Sequence, residues 1–229
     1  MAEPEQTREC DVNGGNDFQW PWAEQHDLGS DTMDLYTAAS LGKEDCVKKC
    51  LESFQNSADV DKKNRGGWTS LMYAAYWGHE PVLKLLLMSK TNPRKKNFSG
   101  HTALMLSAMC DNVQCGKTLL QHGASTEDRD SQDWTALFHA ACLGHLNFVH
   151  LLIENGAQLN ICEKTENFTP LMIGASAGHE LIVDALLQNG ANPLGKSADG
   201  DTAKSLAEKK GYVKVVTVLE SHYLQKFNK

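Results

Sequence analysis

The stretch WTSLMYAAYWGH, residues 68–79, returns along the chain in altered form as HTALMLSAMCDN (101–112), WTALFHAACLGH (134–145), FTPLMIGASAGH (168–179) and DTAKSLAEKKGY (201–212). The threonines of these copies, Thr69, Thr102, Thr135, Thr169 and Thr202, are spaced by 33, 33, 34 and 33 residues. A further copy lies upstream in LYTAASLGKEDCVKKCLE (35–52), whose Leu35, Ala38, Ala39 and Gly42 match Leu71, Ala74, Ala75 and Gly78. A fixed period of this length marks a repeat architecture, in which one small unit recurs and the first and last copies diverge. Six copies can be counted.

Each copy can be read physically. After the threonine, apolar residues fall at helical spacing (Leu71, Ala74, Ala75; Leu137, Ala140, Ala141), which predicts a short first helix with a small-residue face for close packing. Gly78, Gly144 and Gly178 end that helix. A second apolar run follows, Val82, Leu83, Leu85, Leu86 and Leu87 in one copy and Phe148, Val149, Leu151, Leu152 and Ile153 in another, and predicts a second helix packed on the first. Gly-Ala pairs at 123–124, 156–157 and 190–191 come next, then polar residues suited to a projecting turn or hairpin. The expected class is all-α.

This pattern resembles the ankyrin repeat over roughly residues 34–222. The strings DLYTAASLG, GGWTSLMYAAYWGH, DWTALFHAACLGH and FTPLMIGASAGHE are similar, more narrowly, to the ankyrin block of the ankyrin-repeat and SAM-domain-containing proteins. The resemblance implies a solenoid of about six helix-turn-helix units with projecting hairpin loops, near 34–64, 67–97, 100–130, 133–165, 167–198 and 200–222. An acidic, largely disordered segment is expected over 1–33 and a tail over 223–229. Several positions depart from the family pattern. Met72, Met105, Phe138 and Met172 occupy the family's histidine position, so the polar network between units is expected to be partly apolar. Asp111-Asn112 replaces Gly-His, Glu127 sits at the hairpin asparagine, ESFQNSADVD (52–61) carries about three extra residues, and the fourth-to-fifth hairpin gains one more. Local looseness is expected at these places.

Composition narrows the function. Among 229 residues with a net charge of -7, residues 1–34 carry nine acids against one base, so the rest of the chain is nearly neutral. A nearly neutral body has no basic footprint for a phosphate backbone, which speaks against nucleic acid as a partner. No run of residues is apolar enough to span a bilayer, and MAEPEQTREC does not read as a secretory signal. The seven cysteines include no CxxC pair and are read as reduced thiols; Cys46 and Cys50, at helical spacing, could supply only half a metal site. His79, His145 and His179 follow the loop glycines and read as loop residues bonding to backbone rather than as catalytic groups. No enzyme, cofactor or metal is expected.

Stacked units line up equivalent positions, and the resemblance implies that partners meet the residue before each threonine and the pair after each Ala-Ala. Carried over, these give the candidate protein-binding residues Trp68, Tyr76, Trp77, His101, Met109, Trp134, Leu143 and Phe168. For Trp68 and Trp134, packing against the neighbouring hairpin is an equal alternative. So much apolar surface on one face is the signature of an interaction site. The expected function is that of a scaffold or adaptor; the alternative is a regulatory or inhibitory subunit that masks an enzyme. The resemblance further implies kinases or other scaffold proteins as partners, a monomer, and a cytoplasmic, cilium-associated location. Asn160, with Leu152 eight residues before it, is a candidate for asparaginyl hydroxylation. In the leader, FQWPW (18–22) reads either as a docking motif or as a cap on the first unit.

Overall fold

Most of the repeat threonines start a helix by the same device. Thr69, Thr102, Thr169 and Thr202 lie in extended backbone, and their hydroxyls accept a hydrogen bond from the N–H three residues on at 3.2–3.4 Å. In the first unit Asp34 does this for Thr37, at 2.9 Å. A cap of this kind contributes about 1 kcal/mol. Thr135 is the exception, its hydroxyl oxygen buried without a hydrogen-bond partner. Where the methionines leave the polar network partly apolar, the sulfurs of Met72 and Met105 still accept from the Thr69 and Thr102 N–H groups at 3.5 and 3.4 Å. Thioether sulfur is a weak acceptor, so a polar contact survives there in diluted form. Phe138, the corresponding residue in the fourth unit, has no acceptor to offer.

In this computed structural model residues 33–53 and 60–227 are described. The leader with its FQWPW cluster, most of the extra residues of the first unit, and residues 228–229 lie outside them. The described residues form twelve helices and no strand: α1 (Leu35–Ser40), α2 (Glu44–Ser53), α3 (Ser70–Trp77), α4 (Glu80–Met88), α5 (Ala103–Met109), α6 (Val113–Gln121), α7 (Ala136–Leu143), α8 (Leu146–Glu154), α9 (Pro170–Ser176), α10 (Glu180–Gln188), α11 (Ala203–Lys210) and α12 (Val213–Phe227). They pair as six units. The odd-numbered helices stack on one another as one layer and the even-numbered helices as a second.

The core lies between and within these layers. Ala38, Ala39, Ala74, Ala75, Ala140 and Ala141 are wholly buried, and their size lets successive first helices approach closely. Leu83, Leu86, Leu119, Leu152 and Leu186 are equally buried from the second layer, where truncation of such a side chain to alanine costs about 2–5 kcal/mol. The final helix passes residue 222, where the repeat spacing predicts the end of the domain. Residues 212–227 contain no counterpart of Gly123, Gly156 and Gly190, which follow α6, α8 and α10.

Between units the chain projects as tight hairpins, each closed by a backbone bond across its base: Asn64 N–H to Trp68 O, Asn97 to His101, Asp130 to Trp134, Glu163 to Phe168 and Ser197 to Asp201, at 2.8–3.0 Å. The first residue of each also caps the turn with its side chain, as Asp130 Oδ1 does for the Gln132 and Trp134 N–H groups, both at 2.9 Å. At two of the irregular hairpins substitute bonds form. Glu127 accepts from Gln158 N–H at 3.0 Å, the same task that Asn160 performs for Asn192 N–H at 2.7 Å. Around the extra residue of the fourth-to-fifth hairpin, the Glu163 carboxylate accepts from Thr165, Glu166 and Phe168 N–H groups.

Candidate functional site

The candidate residues lie on the first helices and on the hairpins that lead into them, and the aromatic ones fall into two clusters. In the first, Trp68 is 9% exposed, its ring 5.1 Å from Tyr73 and 5.6 Å from Tyr76. Trp68 is therefore largely a packing residue. Tyr76 is half-buried and meets Trp77 edge-on at 5.3 Å, and Trp77 is 43% exposed. The second cluster is Trp134, half-buried and stacked on Phe138 at 5.7 Å, with half-buried Phe168 against the same Phe138, Cys142 and Ile173 group. Met109 and Leu143, each near the end of its first helix, are half-buried too.

His101 joins the second cluster through His139, whose ring lies 5.5 Å from its own and 5.3 Å from that of Trp134. Its Nε2 lies 3.5 Å from Asp130 Oδ2, and the same oxygen lies 2.8 Å from His139 Nε2. Asp130 and His139 are buried, while His101 is part-exposed. Burial alone would raise the Asp130 carboxyl, but hydrogen bonds from His101, His139 and the Trp134 N–H outweigh it and hold the group well below the usual carboxylate range. For His139 burial dominates and pushes the imidazole down against the pull of Asp130. The neighbouring state at neutral pH is thus a carboxylate facing a neutral ring. The potential ligand atoms of the three side chains all lie within 4.8 Å of one another. Among the described residues, Cys46 and Cys50 join no such group of three.

The loop histidines are committed to structure. His79 Nε2 meets Ser40 O at 2.9 Å, His145 meets Met109 O at 3.2 Å and His179 meets Cys142 O at 2.8 Å, each reaching back to the preceding unit. Asn112 does the same with its amide, donating to Ala75 O and Tyr76 O at 3.0 and 2.7 Å. Cys46, Cys50, Cys110, Cys115 and Cys162 carry free thiols.

Models of ankyrin repeats match the chain over residues 35–87 (ankyrin repeats, many copies), 82–161 (ankyrin repeats, three copies) and 166–197 (ankyrin repeat). The chain belongs to the ankyrin-repeat family. Over 55 residues it is 51% identical to the human ankyrin repeat and SAM domain-containing protein 3, a stretch that is 24% of this chain and 8% of that protein. Ankyrin repeats are generally protein–protein interaction modules and typically lack catalysis. No helix among the described residues is long and apolar enough to cross a membrane.

The resemblance pointed to the positions before each threonine and after each Ala-Ala, but not to which way each side chain turns. The His101–Asp130–His139 group went unseen. One clue was available: Asp130 and His139 occupy the registers of Asn64 and Tyr73, whose side chains bond in the second unit at 2.8 Å.

Proposed function

We propose that the chain is a scaffold or adaptor that holds a partner protein against the face formed by the hairpins and the ends of the first helices. The observation that carries this is the Tyr76–Trp77 pair, where 43% of Trp77 remains accessible at the end of α3 beside a ring that is itself half-buried. A large rigid side chain held edge-on by a neighbour loses little entropy when covered, the condition that makes aromatic residues binding hot spots. Met109, Trp134, Leu143 and Phe168 extend the apolar surface along the stack, His101 adds a polar point, and Trp68 supports Tyr76 from beneath. The partner best suited to it presents an apolar segment.

Affinity capture by the full chain, wild type against Trp77→Ala, tests this. At least tenfold less of the captured partner is expected, with stability changed by about 0.5 kcal/mol or less because Trp77 lies outside the core. Undiminished capture by the variant would refute the assignment of this face. The likeness to the human SAM-domain protein supports carrying the reading further, to kinases or other scaffold proteins as partners in a cytoplasmic, cilium-associated setting. Asn160 belongs to this proposal as a modification site: it is exposed, and its amide also donates to Gly190 O at 3.3 Å. Peptide mass spectra of the protein from cells should show one added oxygen on Asn160, and an unmodified residue counts against it.

A further inference from the structure

The boundary between the third and fourth units brings together side chains that other boundaries do not. At the register of His101 the other units carry Trp68, Trp134, Phe168 and Asp201, and at that of His139 they carry Tyr73, Leu106, Ile173 and Leu206. Two imidazoles therefore converge on one carboxylate oxygen at this junction, and among the described residues this is the one such group of three. We propose that His101, Asp130 and His139 form a binding site for a divalent transition metal of the zinc class, with both Nε2 atoms and Asp130 Oδ2 as ligands and water in the fourth position.

Two nitrogens and one carboxylate oxygen suit zinc, cobalt, nickel or copper rather than calcium or magnesium, which favour all-oxygen surroundings. With metal–ligand distances of about 2.0–2.1 Å, ligand atoms in a tetrahedral site stand about 3.3 Å apart. Here the carboxylate oxygen stands 2.8 Å from one nitrogen and 3.5 Å from the other, and all three atoms lie within 4.8 Å of one another, so closing the set on an ion takes side-chain shifts of about an ångström. The carboxylate is already oriented by the second-shell bonds to its other oxygen, from the Gln132 and Trp134 N–H groups at 2.9 Å. Entry is from the side of His101, whose side chain is 21% exposed. A metal on His139 Nε2 takes the place of the present 2.8 Å contact with Asp130, and the ring then carries its proton on Nδ1.

Because His101 and Asp130 belong to the third unit and its closing hairpin and His139 to the fourth, the ion ties adjacent units together. The full chain, stripped with a chelator, is titrated with zinc chloride by calorimetry alongside His101→Trp and His139→Leu, each of which installs a residue that other units carry at the same register. About one zinc per chain is expected for the wild type, with binding at least tenfold weaker in either variant and a zinc-dependent rise in melting temperature confined to the wild type. Cobalt gives an independent readout: tetrahedral absorption bands, and quenching of Trp134, whose ring lies 5.3 Å from that of His139. Wild-type protein that binds no zinc overturns the proposal. So do two folded variants that bind as tightly as wild type, an outcome that places the ion on other histidines.

Discussion

The loops of the second and third units solve one geometric problem with different chemistry. After α3 the chain turns through Gly78, left-handed at φ 75°, and His79 then reaches back to the first unit. After α5 the same turn is made by Asp111, left-handed at φ 54°, and Asn112 reaches back with two bonds in place of one. A Cβ added at Gly78 would stand 2.7 Å from Asn112 Oδ1, and one at Gly144 would stand 2.8 Å from the His179 ring. Asp111 does carry a Cβ. The staple opposite it, His145 to Met109 O, is at 3.2 Å the longest of the three histidine bonds, and Asp111 Oδ1 is buried without a partner. The solenoid thus requires a left-handed residue and a donor that reaches back, and it tolerates more than one way of supplying both, at some strain.

Removing the feature the regular loops depend on has the largest expected effect. Gly144→Val places a β-branched side chain at φ 78° and drives it into the His179 staple, and should cost about 2–3 kcal/mol in a denaturation experiment. Asn112→Ala strips both bonds from the irregular loop and leaves two carbonyls short of a donor; a loss of about 2 kcal/mol is expected in the same measurement. Asp111→Gly runs in the opposite sense. It relieves the left-handed strain and removes the orphaned oxygen, so a gain of about 1 kcal/mol is expected, and unchanged or lower stability would show that Asp111 is not the strained member of the pair.

Those loops also show how far the chain can be read without coordinates. Thr69, Thr102, Thr135, Thr169 and Thr202 mark the starts of first helices, and the glycines and apolar runs after them predict both helices of each unit, because one period governs them all. Substitutions within the period were harder to interpret. Met72 and Asn112 look like losses on paper, yet sulfur and amide restore contacts that only their positions against neighbouring atoms reveal. The candidate face was legible as a set of positions. Whether a side chain at such a position lies down or stands out depends on its neighbour: Trp68 rests on Tyr73, whereas Trp77 stands edge-on to Tyr76. The His101–Asp130–His139 group depends on a contact across a unit boundary, and the repeat spacing says nothing about which atoms meet there.

The bonds between hairpins carry a mechanical consequence. Ser131 N–H joins Ser99 O, Ala198 N–H joins Glu166 O, and Asn160 holds Asn192, so each of these links crosses a single boundary. A load applied to the two ends of such a chain meets the boundaries in series rather than together. Extension in an optical trap should therefore proceed as a staircase of small releases, and the height of each step would rank the junctions by strength.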